Sequence, residues 1–280
     1  MNANLRPSPI AGQWYEGNPA ALTRSVDKFL DQANLPKLNG NVIAVIAPHA
    51  GHRYSGPVAG YSFAALRGRN PELVAVLSPF HNYHSAPFLT SGHSGYATPL
   101  GAVDIDHAAI DELNAELKST LGIELTSITH DLEHSLEIEL PFLQRALKPG
   151  WKLLPVMSRA HNPELAHGLG LAIAKILKGK NAILVASTDL SHFYDQKTAN
   201  LLDGNMLSEI ESFDPENVLK AEATGKGFAC GLGALTSTMW AARELGADKI
   251  QILHHATSGD VTGDYSEVVG YGAAVILKSK

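Results

Sequence analysis

Ala47-Pro48-His49-Ala50-Gly51-His52-Arg53-Tyr54-Ser55-Gly56 follows directly on Asn41-Val42-Ile43-Ala44-Val45-Ile46. The upstream run is short, apolar and rich in β-branched residues, the composition of a strand buried on both faces. His49 then falls at the carboxyl end of that strand. Pro48 restricts the backbone just before it, while Gly51 and Gly56 permit tight turns and close approach of a ligand or another segment. A histidine held there is a candidate ligand or acid/base group, although a lone histidine beside a turn is more often a hydrogen-bonded structural residue.

The pattern recurs. Leu73-Val74-Ala75-Val76-Leu77 runs into Ser78-Pro79-Phe80-His81, and Leu153-Leu154-Pro155-Val156-Met157 into Ser158-Arg159-Ala160-His161. Ala182 to Ala186 leads to Ser187-Thr188-Asp189-Leu190-Ser191-His192, and Ile250 to Leu253 ends in His254-His255. Ligands of open α/β sheets bind outside the carboxyl ends of the strands, so these histidines are candidates for one shared site. Helical stripes lie between the runs. Asn18-Pro19 marks a helix start before Leu22, Val26, Phe29 and Leu30, and Asp106 is placed to cap a helix carrying Ile110, Leu113, Leu117 and Leu121. Pro57 to Leu66 reads as a short helix of small residues, its N-terminus facing the His49 loop, and Pro163 to Leu177 as an amphipathic one. Strands and helices alternating in this way predict a three-layer α/β fold with a largely parallel sheet.

The chain has 280 residues, 45% hydrophobic and 18% charged, with no low-complexity linker, which predicts a single domain over 1–280. A formal net charge of −6 and the lack of a Lys/Arg cluster exclude a nucleic-acid footprint. No apolar segment approaches the roughly 20 residues that span a bilayer, and Met1 to Pro7 lacks a signal-peptide core, so the expectation is a cytoplasmic protein with no membrane partner. Cys230 is the single cysteine, which excludes an internal disulfide framework.

Asp131 to Leu143 reads as a helix with Leu136, Leu140 and Leu143 on one face and Glu133 and Glu137 on another. Beside His134, the paired acids suit proton transfer or metal binding. A solvated acidic first turn fits Glu137 and Glu139 about as well, which leaves Glu133 and His134 as the better site candidates. Ala11-Gly12-Gln13-Trp14-Tyr15 supplies an aromatic pair to pack over a core edge. Gly227-Phe228-Ala229-Cys230-Gly231-Leu232-Gly233 interrupts the later helices, and Thr257 to Tyr265 is a polar loop whose Asp260 follows His254 and His255 closely enough to join them.

These blocks resemble the Memo family, including the bacterial proteins called AmmeMemoRadiSam system protein B, and are distantly similar to class III extradiol dioxygenases. The resemblance is carried by Ala11 to Tyr15, Ala47 to Gly56, Asp131 to Leu143, Ser187 to Tyr194, and Cys230-Gly231 followed by Thr257 to Gly272. It implies the extradiol dioxygenase fold and a metal held by His49, His81 and Cys230, with Asp189 and His192 in the same pocket. Cys230 would replace the carboxylate of a two-histidine, one-carboxylate iron site, and its softer thiolate makes copper(I), iron or zinc reasonable. The chain departs from the family at Ser78-Pro79-Phe80-His81, where Gly-Pro with a small polar residue is usual, and at His52, where tyrosine is common.

The leading expectation is therefore a metal-dependent redox enzyme with one transition-metal ion, iron(II) or copper(I) favoured over zinc, and a small-molecule substrate, with aromatic compounds among the candidates. In it His192, oriented by Asp189, is the acid/base group, and His134 or His254 polarises bound oxygen or a substrate oxyanion. A second expectation is a phosphopeptide-binding adaptor, as animal members of the family are described, with Arg53 and Arg159 as anion contacts. A third is metal-dependent hydrolysis with Asp189 or Glu133 as base. The family also implies a pathway shared with a radical SAM protein.

Overall fold

The computed structural model describes residues 4–159 and 162–280. A two-residue strand β1 (Leu5–Arg6) and helix α1 (Pro19–Gln32) come first. β2 (Asn41–Ala47), α2 (His52–Ala64) and β3 (Leu73–Pro79) follow. Next are the short strands β4 (Phe88–Ser91), β5 (Gly95–Thr98) and β6 (Gly101–Asp104), then α3 (His107–Leu121) and β7 (Thr126–Ile128). A 3-10 turn at Glu137–Glu139 runs into α4 (Leu140–Ala146), followed by β8 (Lys152–Ser158), α5 (Pro163–Leu177) and β9 (Ala182–Ser187). The remainder is β10 (His192–Tyr194), α6 (Gln196–Glu211), α7 (Pro215–Ala223), α8 (Leu232–Glu244), β11 (Lys249–Thr257), the single turn α9 (Gly259–Thr262) and β12 (Val268–Lys278).

The main sheet runs β10-β12-β2-β9-β3-β8-β4-β7, with β11 on the far side of β12. Its centre, β2, β9, β3 and β8, is parallel. These are the apolar runs read from sequence, buried because helices cover both faces: α1, α2 and α4 pack together on one side, and α3, α5 and α8 on the other. The flanks are antiparallel, where β12 pairs β2 and β4 pairs β8. The architecture is a mixed α/β fold with a large central sheet flanked by helices. No helix of the described residues is long and apolar enough to cross a membrane.

Capping follows the sequence closely. Asn18 accepts a hydrogen bond from the Ala21 N–H at the start of α1, and Asp106 does the same from Ala109 for α3. α2 begins at His52, five residues before the proline that the sequence offered as its start. Its small residues admit α1: a Cβ on Gly60 would lie 2.5 Å from the Phe29 carbonyl oxygen.

Two expectations fail here. His254 and His255 do not end a strand, because β11 continues to Thr257 and pairs antiparallel with β12 along His254↔Ala273 and His255↔Gly272. Apolar residues before a histidine pair mark a strand but not its direction. Glu137 and Glu139 are not in a solvated helical turn either, since both are wholly buried and the helix proper starts only at Leu140. Glu137 is drawn inside by Arg6, Ser8 and Tyr15, all of which hydrogen-bond it.

Candidate metal centre

β2, β3 and the loop before α4 bring His49, His81 and His134 together, one ring nitrogen of each lying within 4.8 Å of the others. The His81 and His134 rings stack at 4.8 Å between centroids, and His49 stands edge-on to both at 5.4 and 5.6 Å. His49 and His81 are each held by a hydrogen bond from behind, and His134 Nδ1 lies 3.4 Å from Glu133 Oε1. His49 Nδ1 is 2.8 Å from Ser187 Oγ, at the end of the adjacent strand β9. That hydroxyl donates its proton to the Ser135 carbonyl at 2.6 Å, so it accepts from His49 Nδ1–H and leaves Nε2 as a free lone pair. His81 Nδ1 donates to Glu133 Oε1 at 2.9 Å, which frees its Nε2 in the same way. Glu133 also accepts from the backbone N–H groups of His81, His134 and Ser135. A buried carboxylate behind a histidine is the arrangement that fixes metal ligands.

The electrostatics favour the neutral form of His49 and His134 and the charged form of His81. Burial, then the nearby His134 and His81, holds His49 well below its ordinary value, with Glu133 pulling the other way. Burial lowers His134 to about 4, against the pull of Glu133. For His81, burial is outweighed by the hydrogen bond and charge of Glu133, and its value rises. Burial would raise Glu133, but His81 and the backbone donors hold it well below the usual carboxylate range.

Cys230 Sγ lies 3.1 Å from His49 Nε2, close to the roughly 3–4 Å that separates two ligands of one tetrahedral ion. The Asp189 N–H points at the sulfur from 3.2 Å, and Gly231 N–H donates to Thr188 Oγ1 at 2.9 Å, which locks the start of α8 onto the end of β9. Burial, reinforced by the charge of Asp189, pushes the thiol far up. An ion would be needed to deprotonate it. The donor set, three converging imidazoles of which His49 and His81 have fixed lone pairs, and one adjoining thiol, fits a transition metal.

The other candidates are distributed as follows. Asp189 Oδ1 accepts from the His49 N–H at 2.7 Å and does not orient His192, whose Nδ1 donates to the Leu190 carbonyl at 2.9 Å. Asp189 is pushed up to about 7 by burial, opposed by the His49 and Ala50 amides. His192 lines a small pocket with Cys230 and Glu222, on the flank of the cluster. His254 is outside the cluster: it stacks on Tyr61 at 4.4 Å, and its charged neighbours are His255 and Asp260. His161 lies outside the described residues. His52 points away from the centre, into a cage of Tyr15, Phe29 and Phe142, with Nε2 on the Ile138 carbonyl.

Three contributors carry little or no signal in the sequence. Ser187 was visible as a strand-end hydroxyl but not as the group that sets the His49 tautomer. Trp14, expected over a core edge, stacks on His134 with centroids 4.1 Å apart and walls a cleft that reaches Ala50 and Gly51, directly after His49. Glu139 is wholly buried with neither carboxylate oxygen in bonding geometry to a described donor, because the neighbouring Ser187 gives its proton to Ser135. Burial and the charge of Asp189 push it well above its ordinary value, which favours the protonated form.

The fold and site define an α/β protein with a histidine cluster, compatible with metal binding, at the carboxyl ends of its parallel strands. A family model described as Memo-like protein matches residues 6–275, and the chain belongs to that family. It is 37% identical over 273 residues to a MEMO1 family protein of Nitrosopumilus maritimus, covering 96% of this chain and 98% of that one. A MEMO1 family protein of Methanopyrus kandleri is 33% identical over 284 residues, covering 98% and 99%. Among solved structures, an uncharacterized protein of Escherichia coli K12 is similar with a TM-score of 0.50 and 13% identity, over 84% of this chain and 100% of that chain. At that identity the likeness speaks for the fold alone.

Proposed function

We propose that this protein holds one transition-metal ion between His49, His81 and His134, with Cys230 as a further ligand, and acts as a redox enzyme on a small aromatic substrate. The observation that carries the reading is the convergence of three imidazoles, two of which, His49 and His81, have their far nitrogens tied to Ser187 and Glu133. Such tethering fixes the lone pairs of His49 and His81, and their convergence with His134, rather than the tethering itself, sets them apart from structural histidines. Iron(II) or copper(I) would supply redox chemistry with dioxygen, and zinc only Lewis acidity.

The chain's own residues then have defined tasks. Asp189, close to neutrality in its titration, and His192, on the flank of the cluster, are the groups to hold or move a proton. Trp14 packs on His134 and walls the cleft on that side. A cytoplasmic location and a pathway shared with a radical SAM protein extend the family resemblance. The adaptor reading is disfavoured by charge, since the acidic side chains Asp264 and Glu267 line the cleft walled by Trp14 and would repel a phosphate.

Elemental analysis of protein purified without oxygen tests the proposal. About one iron or copper per chain is expected in wild type and none in His49→Ala/His81→Ala. Equal metal content in the two proteins would overturn it.

A further inference from the structure

We infer that the cleft beside the histidine cluster binds a small aromatic ligand bearing a positively charged nitrogen. This rests on the reading of the cluster as the reacting end and adds the chemistry of the other end. The cleft has a volume of about 520 Å³, within the range of small-molecule sites. It starts where Trp14 stacks on His134 and continues past Tyr54 and Phe193 over the floor of Tyr271.

Phe193 is turned into this space by the backbone. β10 is irregular between His192 and Tyr194 where it pairs with β12, and Phe193 itself has φ 62°, a conformation that bulky side chains rarely adopt. The residue is 70% exposed. Aromatic faces on several sides attract both a ring and a cation.

The charge is one-sided. No lysine, arginine or histidine is among the described residues that line the cleft, whereas Asp264 and Glu267 are. Asp264 Oδ1 is used by the Ser266 N–H and hydroxyl. Glu267 is exposed and makes no ion pair or side-chain hydrogen bond with a described residue. Arg53, over the Tyr54 ring at 5.8 Å, lines the neighbouring depression instead. A carboxylate or phosphate ligand would meet two like charges here, while an ammonium would meet two carboxylates and aromatic faces.

Phenethylamine and 3-phenylpropionate share a ring and a similar length but carry opposite charge, so calorimetric titration of both into the full chain tests the inference. The amine should bind wild type about 10-fold more tightly than the acid, the preference should shrink about 3- to 10-fold in Glu267→Gln, and it should reverse in Glu267→Lys. Glu267 is exposed, so neither change threatens folding. No binding of the amine, equal affinities in wild type, or a preference indifferent to Glu267→Lys would overturn it. Repeating the titration with His49→Ala separates the two readings. Metal content reports on the cluster, and a charge preference that survives the loss of His49 supports the cleft assignment even if the metal centre fails.

Discussion

Glu133 Oε1 lies 2.9 Å from Nδ1 of His81 and holds that imidazole with its other nitrogen directed at His49 and His134. The same carboxylate stands 3.4 Å from His134 Nδ1 and accepts three backbone N–H groups. Glu133→Gln keeps the shape but replaces an acceptor-only group by one that must place an NH2 among donors. Metal affinity should fall about 10- to 100-fold, measured by competition with a chromophoric chelator. Unchanged affinity would show that Glu133 is merely structural.

Gly231 sits where β9 and α8 meet, and a Cβ there would lie 2.3 Å from the Ser187 carbonyl oxygen. Backbone must move to admit it. Gly231→Ala should destabilise the fold by about 1–3 kcal/mol and displace the adjoining Cys230 from His49. Thermal unfolding combined with metal content checks both halves of this expectation, and wild-type values in the two assays would refute it.

Arg6 joins Asp131 and Glu137 at 2.5 Å each, with all three side chains almost fully buried. This ties the first strand to the segment that carries Glu133 and His134. Arg6→Met leaves two buried carboxylates without their cation, at a cost of about 3–5 kcal/mol. Urea unfolding of the variant should show a midpoint well below that of wild type. A shift within experimental error would mean that the carboxylates recover by taking up protons.

How much of this was legible depended on where the information lay. His49 and His81 were readable because each follows an uninterrupted apolar run, and a buried parallel strand leaves that mark. The arrival of His134 was only partly readable. It lies on a loop 53 residues after His81, and nothing local says where that loop goes until Arg6 and Glu133 anchor it. The pairing of Asp189 with the His49 amide rather than with His192 depends on the register of β2 on β9, which sequence spacing does not encode. His254 was misplaced because an antiparallel edge strand and a parallel central one share the same composition. The burial of Glu137 could not be seen without its partner Arg6, 131 residues away.

His52 supplies a pH signature. Burial lowers it to about 4, opposed only by its hydrogen bond to the Ile138 carbonyl. The unfolded chain, with a value near 6.5, binds more protons between these limits than the folded one, so stability is complete above about pH 6.5 and is lost as the pH falls towards 4. The effect is of the order of 3 kcal/mol. His52→Phe, placed among Tyr15, Phe29 and Phe142, should flatten the acid side of the stability profile. An unchanged slope between pH 6.5 and 4 would assign the acid sensitivity to other buried groups.

Cys230 Sγ adjoins His49 in the cluster that also holds His134, and because a thiol and an imidazole differ in softness their separate loss should leave different metals behind. Cys230→Ala retains three imidazoles, a set suited to zinc or iron(II), and removes the thiolate that favours copper(I). His134→Ala retains His49, His81 and the thiol, so copper(I) should persist while binding weakens about 10- to 100-fold for the harder ions. Competition titrations with copper(I), iron(II) and zinc against both variants measure this directly. If Cys230→Ala leaves the copper(I) affinity intact, the sulfur 3.1 Å from His49 Nε2 is a neighbour of the ion rather than its ligand, and the three histidines are the complete set.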